Sequence, residues 1–203
     1  MGYSNFKKIK TVIKKFNLDA RSVKLFENIT PVEPSSWLKE TLEISLSFPL
    51  MNEKMKAERI ISPILVDIAR CYPTRITLFS GEDLNIQPEN DLAGECDFFF
   101  ALHPPKPYLD APIISLTEAK DEDEDLEWGI AQCAAQMYGA KLYNEFENHA
   151  LPIIYGCATD GTEWHFLKLE NNVFDVDIAP ITNLPQLLGT WHHIVKYYIN
   201  SFD

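Results

Sequence analysis

The sequence predicts an α/β domain: a central mixed β-sheet flanked by helices, with a helical N-terminal extension ahead of it. Three observations carry this. Apolar residues recur every three or four positions through the first third of the chain, then alternate or run together from about residue 75. A long helical pattern separates two groups of strand-like segments, the order expected of mixed α/β architecture. The length of 203 residues, with 46% hydrophobic content, suits one large domain with a substantial core.

The elements follow in order. Residues 6–16 form a short basic helix with Phe6, Ile9, Val12, Ile13 and Phe16 on one face. PSSWLKETLEISLSF reads as a second helix, with Ser35 or Ser36 as its cap. MNEKMKAERIISPILVDIARCYP reads as a third, carrying Ile60, Ile61, Ile64, Leu65 and Ile68 at helical spacing. Pro63 falls inside that pattern and predicts a kink or a late helix start. The division falls here: a helical extension over 1–50, packed on a domain over 51–203, one compact unit overall. RITLFSGEDLNIQ is then a strand with a turn or bulge at Ser-Gly-Glu-Asp. ECDFFFAL and APIISLTEAK are two more strands, separated by the proline-rich HPPKPYLDAP. LEWGIAQCAAQMYGAKLYNEF is a helix, PIIYGCATDGTEWHFLKLENN a hairpin turning at Asp160-Gly161, and NLPQLLGTWHHIVKYYIN a closing helix.

Composition narrows the function classes. No run of about 18 apolar residues predicts a membrane span. The first residues, MGYSNFKKIKTVIKKF, show neither the apolar core of a secretory signal nor the Ser or Thr of a myristoylation motif, whose place Phe6 takes. Cys71, Cys96, Cys133 and Cys157 are widely spaced with no CxxC, which predicts buried free thiols in a cytoplasmic protein. The net charge of -12 is uneven: residues 1–24 hold seven bases and one acid, whereas the remainder holds 11 bases and 29 acids. A basic arm on an acidic body suits docking on phosphate or on an acidic protein partner, or is a solvated helix face. The acidic body argues against tight non-specific DNA binding.

The chemistry concentrates where polar residues interrupt apolar strands. Asp97 precedes the apolar run of GECDFFFAL, and Glu118 and Lys120 end IISLTEAK. Residues two apart on a strand point to the same side, so Glu118 and Lys120 share a face, with Ala119 on the other. If the two strands are neighbours, Asp97 reaches the same spot. Two carboxylates with a backbone carbonyl and waters make a hard oxygen site for Mg²⁺ or Mn²⁺. A lysine beside them orients an attacking water and offsets developing negative charge. Taken alone, Glu-x-Lys is more often a surface ion pair at a strand edge. Five acids, Asp121 to Asp125, follow it and read as a solvated connection.

The ordered set GECDF, then TEAK with Glu118 placed 21 residues after Asp97, then a helix containing QCAAQMYGA, resembles the PD-(D/E)XK nuclease superfamily. The likeness is greatest to its small bacterial members, cyanobacterial ones especially, and covers roughly residues 53–170. It implies a restriction-endonuclease-like core and Mg²⁺- or Mn²⁺-dependent hydrolysis of DNA phosphodiester bonds. By position it implies Asp97 and Glu118 as metal ligands, Lys120 as the catalytic lysine, and Glu58 of AERIISPIL as a direct or outer ligand. Gln132 becomes the helix residue facing the site, with Gln136 one turn later on the same face. Cys96 stands where the family pattern has proline. A homo-oligomer is compatible with this reading. So is a second class of function, a catalytically weak or inactive nuclease fold serving as a binding or assembly module. Other candidates recede: His192 and His193 are adjacent on a helix and cannot both face one metal, and Phe98, Phe99 and Phe100 read as core. No glycine-rich phosphate loop or Gly-x-Ser-x-Gly elbow occurs.

Overall fold

The computed structural model describes residues 2–121 and 126–202. Helix α1 (Ile9–Phe16) and strand β1 (Asp19–Val23) come first, then α2 (Ser36–Leu46), α3 (Glu53–Lys56) and α4 (Ser62–Ala69). Strands β2 (Thr77–Asp83), β3 (Glu95–Ala101) and β4 (Ile113–Ala119) lead into α5 (Leu126–Phe146). Strands β5 (Ile153–Thr159), β6 (Trp164–Glu170) and β7 (Val173–Asp177) precede α6 (Leu184–Ser201). The seven strands form one mixed sheet in the order β1-β7-β6-β5-β4-β3-β2. The pairs β4/β5 and β1/β7 are parallel, and the rest are antiparallel. The central unit is thus β4–α5–β5, two parallel strands joined by a helical crossover.

Each face of the sheet covers its own core. On one, Phe99, Leu116, Ile154 and Leu167 meet Ala131, Cys133, Ala134 and Met137 of α5 and Val12 of α1. On the other, Phe98, Phe100, Ile114 and Phe166 meet Leu38 of α2, Ile64 and Ile68 of α4, and Trp191 and Tyr198 of α6. The result is three layers, helix on sheet on helix. Ser35 is the expected cap of α2, its Oγ accepting from Leu38 N at 3.1 Å, and Asn183 caps α6, its Oδ1 accepting from Gln186 N at 3.0 Å.

Three expectations need amendment. The segment 1–50 is not purely helical, because β1 adds a strand to the sheet edge. Pro63 stands in the first turn of α4, which begins at Ser62 as a late start predicts, but the residues before it do not leave the helix. Instead Ala57–Ile61 widens into a π-helical turn, in which Ser62 N–H donates to Ala57 O five residues back, immediately before the proline that cannot donate. Finally, Cys96, Cys133 and Cys157 are buried free thiols, but Cys71 is exposed. It lies two residues past the end of α4, its N–H bonded to Ile68 O.

The position of α5 is set by small residues and one buried amide. A Cβ at Gly156 of β5 would collide with Met137 Sδ and come within 2.7 Å of Cys133 Sγ, so only glycine lets the helix lie this close. Asn144, fully buried, donates Nδ2–H to Ile113 O and accepts from Ile113 N, both at 2.8 Å. That pair fixes the far end of α5 to the first residue of β4. Losing it would strand two buried backbone groups, at about 1–3 kcal/mol each.

Candidate active site

The residues singled out on β3 and β4 meet at one end of the sheet. Antiparallel pairing of Phe98 with Thr117 puts the start of β3 beside the end of β4. Asp97 Oδ2 accepts a hydrogen bond from Ala119 N at 2.8 Å, which ties its carboxylate across the ladder to the Glu-x-Lys segment. The site therefore lies at the carboxyl ends of the parallel pair β4/β5, where ligands of open α/β sheets commonly bind. Lys120 follows the last residue of β4, and its N–H bonds Thr159 O at 2.8 Å, so it keeps strand geometry. Glu118 and Lys120 consequently share the α5 side, while Ala119 joins the opposite core.

Helix α5 completes the cluster. Gln136 Nε2 donates to Glu118 Oε2 at 2.6 Å, and Lys120 Nζ approaches Glu118 Oε1 at 2.8 Å. All three side chains are buried. Gln132 is also buried, one turn ahead of Gln136, but Gln136 is the one bonded to Glu118. Lys120 needs Gly129: a Cβ there would stand 2.8 Å from Lys120 Cγ. The helix pattern Gly129, Gln132, Gln136 is thus a groove for the lysine stem followed by two amides along one face.

From the other helical layer Glu53, at the start of α3, brings Oε2 to 3.6 Å from Lys120 Nζ. Glu58 does not take this place. It is exposed and lies 3.9 Å from Lys54 on its own helix. Five residues separate the two glutamates, so they occupy different faces, and the π-turn between them and the proline upsets any phase carried back from Ile64 and Ile68. The sequence reading also missed Lys56. It is buried, with Nζ 3.1 Å from Asp121 Oδ1 beside the same strand end. A signal existed: Glu53 and Lys56 are three residues apart in the helix behind the Asn52 cap, whose Oδ1 accepts from Met55 N. Residues 122–125 of the acid run lie outside the described residues.

The electrostatics reflect crowded carboxylates. Burial, then the charge of Glu118, pushes the Asp97 carboxyl up to about 7, against the pull of the Ala119 N–H and Lys120. Burial also raises the Glu118 carboxyl, although Lys120 and Gln136 oppose it. Burial draws the Lys120 ammonium down, but Glu118 and Glu53 more than offset this, and the lysine stays above its ordinary value. The nearby thiols of Cys96 and Cys133 are raised by burial and then by Glu118, so neither is a nucleophile. Among the described residues no group of three or more His, Cys, Asp or Glu forms a ready metal cage. Two carboxylates at a strand end do fit a hard divalent ion that keeps several waters or takes phosphate oxygens as its remaining ligands. The donor set, all oxygen with no thiolate or imidazole, suits Mg²⁺ or Mn²⁺.

No family model matches the chain, and no curated protein matches it. Among the described residues no helix is long and apolar enough to cross a membrane.

Proposed function

We propose that the chain is a metal-dependent nuclease of restriction-endonuclease-like type, hydrolysing DNA phosphodiester bonds. One observation carries this reading: Asp97, Glu118 and Lys120 converge from two neighbouring strands at one end of the sheet, with Lys120 Nζ 2.8 Å from Glu118. Asp97 and Glu118 would hold Mg²⁺ or Mn²⁺, which supplies an activated water and charge neutralisation at the scissile phosphate when bound. The protein's own part is positioning. Gln136 and Lys120 fix the two oxygens of Glu118, and the Ala119 N–H fixes Asp97. Lys120, kept protonated by its carboxylate neighbours, orients water and offsets charge on the phosphorane-like transition state. Glu53 limits where the ammonium can swing.

The test is conversion of supercoiled plasmid and of single-stranded DNA by the pure protein with Mg²⁺ or Mn²⁺. Cleavage that stops with chelator and with Lys120→Ala supports the assignment; equal residual cleavage in both proteins rules it out. A second reading, a nuclease fold that binds without turnover, draws on one feature: no third carboxylate joins Asp97 and Glu118 as a metal-holding group among the described residues. Metal binding that depends on Asp97 without any cleavage would favour it.

A further inference from the structure

The chain's charge is divided, and the fold places the basic part beside the candidate site. Helix α1 packs along α5. Val12 is fully buried against it, Phe16 packs tilted on Tyr138 at 4.7 Å between ring centroids, and Lys7 Nζ lies 4.1 Å above the Trp128 ring. Trp128 immediately precedes Gly129, the residue that makes room for Lys120. One end of α1 is therefore anchored at the site's end of α5, and the other runs back along the same face of the molecule.

The solvent side of α1 carries the lysines: Lys10 and Lys14 stack one turn apart, Lys8 caps the start of the helix on its other flank, and all three line one surface hollow with Thr11 and Lys15. Lys8, Lys10 and Lys14 are exposed, and among the described residues none has an acidic partner, whereas Lys15 is engaged by Asp91 at 2.7 Å. Lys10 and Lys14 stand roughly 6 Å apart along the axis at 1.5 Å per residue, about two phosphates of one strand at 3.4 Å per nucleotide, and Lys8 extends the strip ahead of the helix. Three exposed cations without acidic partners make a local positive strip on a chain of net charge -12, a field that draws a polyanion to this strip rather than to the acidic remainder. A membrane surface is a poor match, because an interfacial helix needs its apolar face free, and here that face is buried on α5. No large apolar side chain is exposed in residues 2–24.

We propose that Lys8, Lys10 and Lys14 form a rail for the phosphate backbone of a nucleic acid, leading to the Asp97–Glu118–Lys120 end of α5. The proposal rests on the nuclease reading of that site, and it reconciles the acidic body with a DNA substrate: only one strip of the surface receives phosphates.

The test is fluorescence anisotropy of labelled 20-mers, as duplex DNA, single-stranded DNA and RNA, between 50 and 300 mM NaCl. It compares the wild-type chain, the triple variant Lys8→Ala/Lys10→Ala/Lys14→Ala, and a control triple of lysines elsewhere, Lys39→Ala/Lys54→Ala/Lys196→Ala. Each phosphate contact adds about 0.9 to the slope of log K against log salt on duplex DNA. The α1 triple is expected to lower that slope by about 2–3 and to weaken binding at least about tenfold at 100 mM, with the control triple unchanged. The same slope in wild type and the α1 triple overturns the rail, as does equal loss in both triples. Binding of phosphatidylserine vesicles or polyglutamate that depends on the three lysines, with nucleic-acid binding indifferent to them, also overturns it and points to a membrane or an acidic protein. The two readings fail separately. A shifted slope with no metal-dependent cleavage by the wild type keeps the rail and removes the nuclease; cleavage abolished by Lys120→Ala with an unshifted slope does the reverse.

Discussion

Two carboxylate clusters in this molecule have basic partners, yet they behave in opposite ways. Asp175 of β7 is held by Arg21 of β1 and by Lys168 of β6 at 2.9 Å. The Arg21 hydrogen bond, with Lys168 behind it, keeps the Asp175 carboxyl below the usual carboxylate range despite burial. At the other cluster Asp97 and Glu118 share Lys120, and both carboxyls are raised. At β7 positive and negative charge balance: Arg21 and Lys168 face Asp175 and Glu170. At the β4 end Lys120 faces Asp97, Glu118 and Glu53. A structural ion pair is satisfied as it stands, whereas the crowded, raised carboxylates at the β4 end are the arrangement on which the proposed metal site rests.

The largest expected contrast is catalytic. Lys120→Ala should lower metal-dependent plasmid cleavage by about 10²–10³-fold, the usual cost of one preorganised electrostatic group. Lys168→Ala, a similarly paired lysine on the same sheet, should leave the cleavage rate within about twofold. Comparable losses in both would erase the distinction.

Stability should split the same substitution by sign. Asp175→Asn takes from Arg21 and Lys168 the carboxylate they share, with Lys168 keeping Glu170 at 2.8 Å, and should cost about 1–3 kcal/mol in urea unfolding. Asp97→Asn keeps an acceptor for Ala119 N–H and removes a buried charge beside Glu118. Without divalent metal at pH 8 it should raise Tm by about 2–4 °C, the effect of about 1 kcal/mol in a domain of this size. Adding Mg²⁺ should then raise the wild-type Tm and leave Asp97→Asn where it was.

The pH dependence separates the clusters further. The Asp175 carboxyl is lower in the fold than in the unfolded chain, so its contribution is present above about pH 4 and is lost as pH falls through the folded value. The Asp97 carboxyl is higher in the fold, near 7, so its contribution is favourable below about pH 4 and is lost as pH rises toward 7. Urea midpoints measured from pH 3 to 8 should show Asp97→Asn gaining on wild type between pH 4 and 7 and levelling off above. Asp175→Asn should be furthest below wild type near neutrality and converge with it in acid. The smallest effect belongs to Gly129→Ala. Its Cβ would press on Lys120 Cγ, and cleavage should fall about tenfold while Tm moves by no more than about 3 °C.

The difference between these regions also explains what could be read from the sequence. Glu118 and Lys120 stood out because a two-residue period inside an apolar strand fixes a shared face, whatever the tertiary context. α5 was legible to its ends because its pattern runs uninterrupted from Leu126 to Phe146. β1 and β7 were not: each has five residues, and β1 lies at the sheet edge largely exposed, so DARSV carries no apolar alternation. Glu53 was missed in favour of Glu58 because the π-turn breaks the helical phase between the two. Lys56 was missed because its partner, Asp121, lies 65 residues away and no local period links them. Gln132 was expected to face the site and Gln136 to follow it, because one helix face does not reveal packing depth; the packing on β4 puts Gln136 at Glu118.

The most direct measurement is Mn²⁺ binding to the metal-free protein, followed by electron paramagnetic resonance of the free ion. One tight Mn²⁺ per wild-type chain, lost in both Asp97→Asn and Glu118→Gln and retained in Asp175→Asn, is the expected result. Binding that survives Asp97→Asn and Glu118→Gln, or no binding by the wild type, would contradict a metal site at the end of β4.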